Sequence, residues 1–380
     1  MSEPGRKSSP RRGNGDDGSA NGSHPPAGAI MQVERRDYTA VVPDVAPQRQ
    51  SMRGFDPCYA DIVDYIVRCT HRIWDEKNPG LIYTHYAHNT IVYTALGNSH
   101  TREEVVSATI QRLHELPDRR GAAYQVIWNG NDVDGFYTSH LVSGYGRHTG
   151  DGPWGPPTGR TFHAWTIADC MVYENRIYRE WLVRDSMGLI LQLGLDGDAM
   201  ARDMAAGSAA KGVTLNGLGY GDRIVGQLHP NPDADLSICA SDEERRVISA
   251  LHTMWNGRMF GLVRDLYSPR IVQHTTCGRT MRGHAQVIGH ITQLLAMMPE
   301  AKLTCHHVAT NPSEEGGHKI AVRWDLIGRH LGHGRLGRPT GKPLYLMGMT
   351  HFHIVDGKIV EEWMIYDEFA LRVQLNLPEG

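Results

Sequence analysis

Two stretches of the chain carry apolar residues at helical spacing and then switch to strict alternation. In the first stretch Ile62, Ile66, Cys69 and Ile73 recur with the helical period. In the second, Val247, Leu251, Met254 and Trp255 do so, behind Ser241 and Glu244 at capping-box spacing. A second helical stretch follows each time, Glu103 to Leu116 and His284 to Met298, and each ends at a proline. Then the period becomes two. Ile320, Val322, Trp324 and Leu326 alternate with Arg323 and Asp325. A long strand is predicted from Leu344 to Ile354 and another from Ile359 to Tyr366, joined at Asp356-Gly357, a dipeptide that favours tight hairpins. Glu174-Asn175 stands at the corresponding place in the first stretch. Helices first and a meander of long strands after them predict an α+β fold, a curved and mainly antiparallel sheet wrapped on N-terminal helices.

The pattern occurs twice because the sequence does. G-R-H-T-G-D-G-P-W-G-P-P-T-G-R (146–160) aligns with G-R-H-L-G-H-G-R-L-G-R-P-T-G-K (328–342) at an offset of 182 (341 − 159 = 182). E-W-L-V-R-D (180–185) falls over E-W-M-I-Y-D (362–367) at the same offset. Trp74 over Trp255, Gly97 over Gly278 and Pro117 over Pro299 extend it upstream within one residue. A repeat of this length is a domain and not a solenoid unit. The organisation expected is a disordered leader at 1–55, a first domain at 56–195, a Gly-, Ala-, Asp- and Pro-rich linker at 196–240 and a second domain at 241–380. The G-x-G-x-x-G spacing inside the repeat matches a dinucleotide fingerprint, but Pro-Thr-Gly and a strand follow it. A pyrophosphate turn needs a helix there, so the motif is read as a turn between strands.

Composition narrows the classes. With 39 basic and 42 acidic residues the net charge is -3, which gives no reason to expect nucleic acid or an anionic membrane as partner. No apolar run is long enough to span a bilayer, and no apolar segment follows Arg11-Arg12 to make an export signal. Six cysteines without a C-x-x-C pair fit a reduced, cytoplasmic setting.

The repeated G-R-H-x-G-x-x-x-x-G-x-P-T-G-[RK], with D-G-K-I-x-E-E-W-x-x-x-D and a terminal Q-L, resembles the SnoaL-like polyketide cyclase or ester cyclase family of the nuclear-transport-factor-2-like superfamily. The second copy is the closer match. The resemblance implies two cone-shaped domains packed as a pseudo-dimer, with room for a further homodimer. It implies a small-molecule pocket between sheet and helices, and acid/base chemistry without metal or cofactor, an aldol-type cyclisation or isomerisation of a small carbonyl or polyketide-like compound. Hydrolase or dehydratase chemistry in the same pocket, or non-catalytic binding, are the alternatives. The family's acid falls on Asp367 and its histidine on His353, as catalytic residues, with His351 two residues earlier. In the first copy the acid is Asp185, but Met171 replaces the histidine and Asp169 precedes it.

Read from the residues alone, Trp363, Ile365 and Asp367 share one strand face, which would put a carboxylate at the edge of an apolar cavity. Asp367 and Asp185 also precede helices, where each would serve as an N-cap. His351 and His353 share a face, and H-x-H beside a carboxylate is also a metal pattern, with His274 or His330 as a third ligand. His330 and its counterpart His148 either line the pockets or hold the glycine turn. His274 and Trp324 complete the candidate substrate contacts, and Asp185, Asp169 and His148 a candidate first-copy site.

Overall fold

The computed structural model describes residues 39–40, 43–215 and 233–379. Each repeat folds as one unit. The first contains α1 (Ile62–Trp74), α2 (Ile82–His85), β1 (Tyr86–Thr94), β2 (Gly97–Ser99), α3 (Arg102–Glu115), β3 (Arg120–Asn131), β4 (Gly135–Arg147), β5 (Thr161–Tyr173), β6 (Arg176–Arg184) and α4 (Ser186–Gln192). A connecting helix, α5 (Gly197–Ala209), follows. The second unit repeats the order with α6 (Asp242–Trp255), α7 (Val263–Leu266), β7 (Tyr267–Thr275), β8 (Arg279–Arg282), α8 (Gly283–Met297), β9 (Lys302–Pro312), β10 (His318–Arg329), β11 (Pro343–Val355), β12 (Lys358–Tyr366) and α9 (Glu368–Asn376).

The two six-stranded sheets have the same topology, β2-β1-β6-β5-β4-β3 and β8-β7-β12-β11-β10-β9. All neighbours are antiparallel except β1 with β6 and β7 with β12. The fold is therefore α+β with two mixed sheets. Both hairpin turns fall where the sequence predicts them, with positive φ at Glu174 and Asn175 and at Asp356 and Gly357. The capping box at Ser241 and Glu244 is formed, each side chain meeting the other's amide.

Two long segments differ from expectation. Residues 1–38 and 41–42 of the leader lie outside the described residues. Residues 43–55, however, lie against the first unit: Ala46 and Met52 are buried, and Gln50 accepts the Ile62 amide. The connector holds the 13-residue α5, capped by Asp196, because its Ala and Met residues form an apolar stripe. Ala201 and Ala205 pack with Met187, Ile190, Phe369 and Val373 between α4 and α9. The connector thus seals the two units together.

The two sheets also meet face to face. Leu141, Ile167 and Val183 of the first sheet pack against Ile327, Tyr345, Met347, Met349, Trp363 and Ile365 of the second. Side chains alternate along a strand, so the odd-numbered residues of β4 to β6 and β10 to β12 point to the partner sheet, up to the bulges in β6 and β12 beyond which the parity reverses and Ile177 and Ile359 pack into their own units. The even-numbered ones point into their own cone. Each fully buried aliphatic side chain at such a seam stabilises by about 1.5–3 kcal/mol.

The glycine motif is a tight turn docked on a helix end. Gly152 bridges Gly155, and Gly334 bridges Gly337. A Cβ on Gly150 would stand 1.8 Å from the His114 carbonyl oxygen, and one on Gly332 1.7 Å from that of Ala296. These glycines let the turn lie against the C-terminal ends of α3 and α8.

The cone interiors differ. In the second unit Trp324 spans the cavity, donates to Thr350 Oγ1 at 2.9 Å and stacks 6.4 Å from Trp255. Gly348 makes room for it, since a Cβ there would come within 2.1 Å of the Trp324 ring. In the first unit the same three positions are Val142, Ala168 and Thr166, and the space is open. Gly348→Ala should therefore destabilise the protein by about 1–3 kcal/mol through overpacking. Thr166→Ala, its counterpart, should cost much less. Urea denaturation of the two variants checks this.

Candidate active site

Strands β1, β4, β5 and β6 together with α1, α3 and α4 enclose the first unit's cavity. One lobe of about 90 Å³ lies between α1 and the sheet. A second of about 290 Å³ adjoins it toward α3, and Tyr86, Arg112, Glu180, Leu182 and Arg184 border both. Glu180, Leu182 and Arg184 alternate on β6, so all three face inward.

The sheet register arranges the inward residues in layers. Glu180 is level with Cys170 and Thr138, Leu182 with Ala168 and His140, and Arg184 with Thr166 and Val142. Successive layers are about 7 Å apart. Glu180 and His140 are buried, at 8% and 2% exposure, whereas Arg112, Arg119 and Arg184 are partly exposed. The mouth therefore lies at the arginine end and the acid at the closed end.

Glu180 accepts a hydrogen bond from Tyr86 Oη at 2.9 Å. Burial raises its proton affinity above the ordinary glutamate range, while the Tyr86 bond and the Arg184 charge pull the other way. A carboxyl held in this way keeps its proton more tightly than an exposed glutamate, which suits it to proton transfer. His140 is held neutral, with burial lowering it to about 4. Its Nδ1 lies 3.4 Å from Thr70 Oγ1, whose own proton goes to the Ile66 carbonyl at 2.8 Å. That arrangement puts the ring proton on Nδ1, leaving a lone pair on Nε2. Nε2 has no partner among the described residues.

At the mouth, Arg112 donates to Glu115 at 3.0 Å and lies 5.1 Å over the Trp154 ring. Arg119 lies 4.6 Å over Trp74. Burial, then the charge of Arg112, pulls Arg184 down to about 10, still cationic at any physiological pH.

The second unit keeps the acid and closes the rest. Glu362 accepts from Gln273 at 2.9 Å, Gln273 contacts His290 at 2.8 Å, and His290 contacts the Tyr366 hydroxyl at 3.1 Å. Burial pushes Glu362 up to about 7. Leu294, Val322, Leu326, Leu346 and Tyr366 occupy the positions of Arg112, His140, Gly144, Ala164 and Arg184. They belong to the unit's packed interior.

The structure disperses the residues singled out from the sequence. Trp363 and Ile365 share a face that meets the other sheet, and Asp367 lies just past the end of the strand. Asp367 is the N-cap of α9. Its Oδ1 accepts from the amides of Phe369 and Ala370 at 3.1 and 3.2 Å, and its Oδ2 from Ser186 Oγ at 2.7 Å. Asp185 caps α4 through the Gly188 amide at 2.9 Å and also accepts the Cys277 amide, from the other unit, at 2.7 Å. Asp185 borders the cavity, but with its oxygen engaged in this way.

His351 lies between the sheets, bonded to Ser139 Oγ at 2.8 Å and to Gln125 Oε1 at 3.2 Å. Burial lowers it to about 3, so it is a neutral bridge across the seam. His353 contacts the Gly316 carbonyl at 2.9 Å, at the far end of the sheet. His274 stacks on Trp363 at 5.2 Å and meets Glu361 at 3.1 Å. Asp169 accepts from Tyr137 at the seam, and Arg323 stands 4.0 Å away.

His330 and His148 hold their glycine turns. Each places Nδ1 3.3 Å from a threonine hydroxyl, Thr340 or Thr158. The His330 carbonyl accepts the Gly341 amide and that of His148 the Gly159 amide, both at 2.9 Å. Trp324 faces the cone and fills it. Among the described residues no three His, Cys, Asp or Glu side chains group as a metal site.

Sequence reasoning missed Glu180, His140 and the arginines. Two signals were present. Glu180 and Glu362 are identical in the two copies, next to tryptophans that face the opposite way. The arginines stand where the second copy is apolar or aromatic.

Residues 245–375 match the sequence profile of the SnoaL-like polyketide cyclases. The chain carries a SnoaL-like domain. Among solved structures, a protein named as a candidate SnoaL-like polyketide cyclase from Jannaschia sp. CCS1 is 17% identical, over 40% of this chain and 98% of that one, with a TM-score of 0.33. IdmH of Streptomyces antibioticus, named as a candidate polyketide cyclase, is 21% identical over 36% of this chain and 100% of its own, with a TM-score of 0.32. A Catenulispora acidiphila protein with a ketosteroid isomerase-like fold is 16% identical over 35% and 94%, with a TM-score of 0.29. No curated protein matches the chain. The SnoaL-like profile falls on the filled unit, while the cavity lies in its sister. No described helix is long and apolar enough to cross a membrane.

Asp367 gives a stability prediction. Asp367→Ala should cost about 0.5–2 kcal/mol as a lost cap. Asp367→Asn, which keeps an acceptor oxygen, should cost less. Burial pushes the Asp367 carboxyl up to about 6, above its unfolded value, so folding favours its protonated form. Wild-type stability relative to Asp367→Asn should therefore fall as pH rises from about 4 through 6. Denaturant titrations across that range measure the difference.

Proposed function

We propose that this chain is an acid–base enzyme acting on a small carbonyl compound in the first unit's cavity, with the second unit as its filled structural partner. The observation that carries this reading is the contrast between two copies of one fold. One interior is packed with Trp324, Leu326, Leu346 and Tyr366. The other holds an open space with a buried carboxyl, a free imidazole nitrogen and a group of cations. Polar groups of this kind cost stability when buried without partners, and the second unit, which keeps the carboxyl as Glu362 but has Val322, Leu294 and Tyr366 in place of His140, Arg112 and Arg184, shows that the fold does not require the imidazole or the cations.

In this reading Glu180 takes the proton from carbon next to a carbonyl and returns it later in the turnover. The raised proton affinity of its carboxyl brings it closer to that task than an exposed glutamate. Arg184, two layers along the same strand face, supplies positive potential toward the oxygen that becomes anionic. The Nε2 lone pair of His140 accepts a substrate hydroxyl in the layer between them. Tyr86 fixes the Glu180 carboxyl. Aldol-type closure and isomerisation both begin with this proton transfer.

The test is deuterium uptake at the acidic carbon of β-keto esters and 1,3-diketones in D₂O, followed by NMR. Wild type should accelerate exchange, with a rate that rises with pH to a plateau whose midpoint lies above the ordinary glutamate value of about 4.3. Glu180→Gln should lower the rate by about two to four orders of magnitude while the protein stays folded. Asp367→Asn should leave it within about threefold of wild type, because Asp367 serves as a cap. Exchange that survives Glu180→Gln and vanishes in a folded Asp367→Asn would return the chemistry to the seam and overturn this assignment.

A further inference from the structure

We propose that the substrate of this cavity carries a carboxylate, held at the mouth by Arg119. The proposal rests on the first-unit cavity being the working site, and it concerns which ligand enters rather than which residue moves the proton.

Arg119 lies flat over Trp74 at 4.6 Å and borders the cavity. Its Nη1 is buried and has no hydrogen-bond partner among the described residues. On the strand opposite, Gly146 lets the Arg119 backbone lie close, since a Cβ there would stand 3.0 Å from Arg119 Cα, and Gly144 presents no side chain toward the guanidinium. In the second unit Leu326 stands at the position of Gly144 and Ala301 at that of Arg119, so the cation does not belong to the common fold. A buried guanidinium donor without an acceptor is costly unless something arrives to accept from it.

Of the nearby carboxylates Asp75 is the one whose charge acts on Arg119, and it accepts the Gly121 amide at 2.9 Å. Arg112 is already paired with Glu115, which also accepts from Trp154 Nε1 at 2.8 Å. The Asp185 oxygen is taken by two amides. Burial disfavours the charged form of Glu180, which sits at the other end. Arg184 makes no side-chain hydrogen bond to the described residues and adds a second cation nearby. The mouth therefore has a surplus of positive charge within reach of a planar two-pronged donor, the geometry that fits a carboxylate. The remaining walls, Ile73, Val142, Phe162, Leu182 and Leu189, are apolar and suit a carbon skeleton. The expected substrate is a small keto acid or its vinylogue, with the carboxylate at Arg119 and the acidic carbon toward Glu180.

Trp74 borders the cavity beneath Arg119 and reports binding by fluorescence. The probes are benzoate and 1-naphthoate, their neutral amides, and inorganic phosphate. Wild type should bind each carboxylate at least about tenfold more tightly than its amide and more tightly than phosphate. Arg119→Gln should abolish that preference, and Arg119→Lys, which keeps charge but not the fork, should restore only part of it. Melting curves confirm that each variant is folded, and if Arg119→Gln is not, the Lys variant alone must show the partial loss. Glu180→Gln should keep the carboxylate preference. Equal binding of acids and amides, tighter binding of phosphate, no binding of any carboxylate, or an unchanged preference in the Arg119 variants would each overturn the proposal. Failure of the proton-transfer reading looks different: deuterium exchange would survive Glu180→Gln while the carboxylate preference remained.

Discussion

Each sheet in this protein is covered on both faces, by its own helices on one side and by the other sheet on the other. Everything else depends on that constraint. A strand between two packed layers has no solvent face for its polar residues, so each one must find a partner in the seam, find one in the cone, or border a cavity. His351 takes the first course, with Ser139 and Gln125 from the opposite unit. Glu362 takes the second, with Gln273 and Tyr267. Glu180 and His140 take the third. The parity of a residue number along the strand decides between seam and cone, and a shift of one position reverses the outcome.

That sensitivity explains what the sequence revealed and what it hid. The duplication, the helix-then-meander order, the hairpin turns and the Ser241 capping box were all legible, because repeats and local periodicity are written in the chain itself. The site was less legible. Alternation put Trp363 and Ile365 on one face, but alternation alone does not say which face looks inward when both are apolar. Asp367 therefore appeared to border a pocket when it lies at the seam and caps a helix. The resemblance to a known family favoured the second copy, whose signature residues match best. Whether a cone is open depends on the volumes of side chains distant in sequence, and Trp324 passing over Gly348 is a tertiary fact that no local pattern states.

The two copies have divided what a single domain must reconcile. A cavity lined with cations and a carboxyl weakens a small core, since open volume forfeits dispersion contacts and buried charges lose hydration. Here the second unit fills that volume with Trp324, Leu326, Leu346 and Tyr366 and presents Met347, Met349 and Trp363 to the seam. Its rigidity supports the sheet that carries the more expensive interior. The glycine turn is common to both units because it fixes the end of the third helix of each, whatever lies inside.

The helix caps cross between the units. Asp185 of the first accepts an amide from Cys277 of the second, and Asp367 of the second accepts the hydroxyl of Ser186 of the first, with α5 packed over both. Neither half then contains all the partners its own polar groups need. A lineage inheriting such a gene could let the filled half drift in every property except shape. It could not discard that half, because the half with the open cavity borrows its closure from the half whose interior is filled.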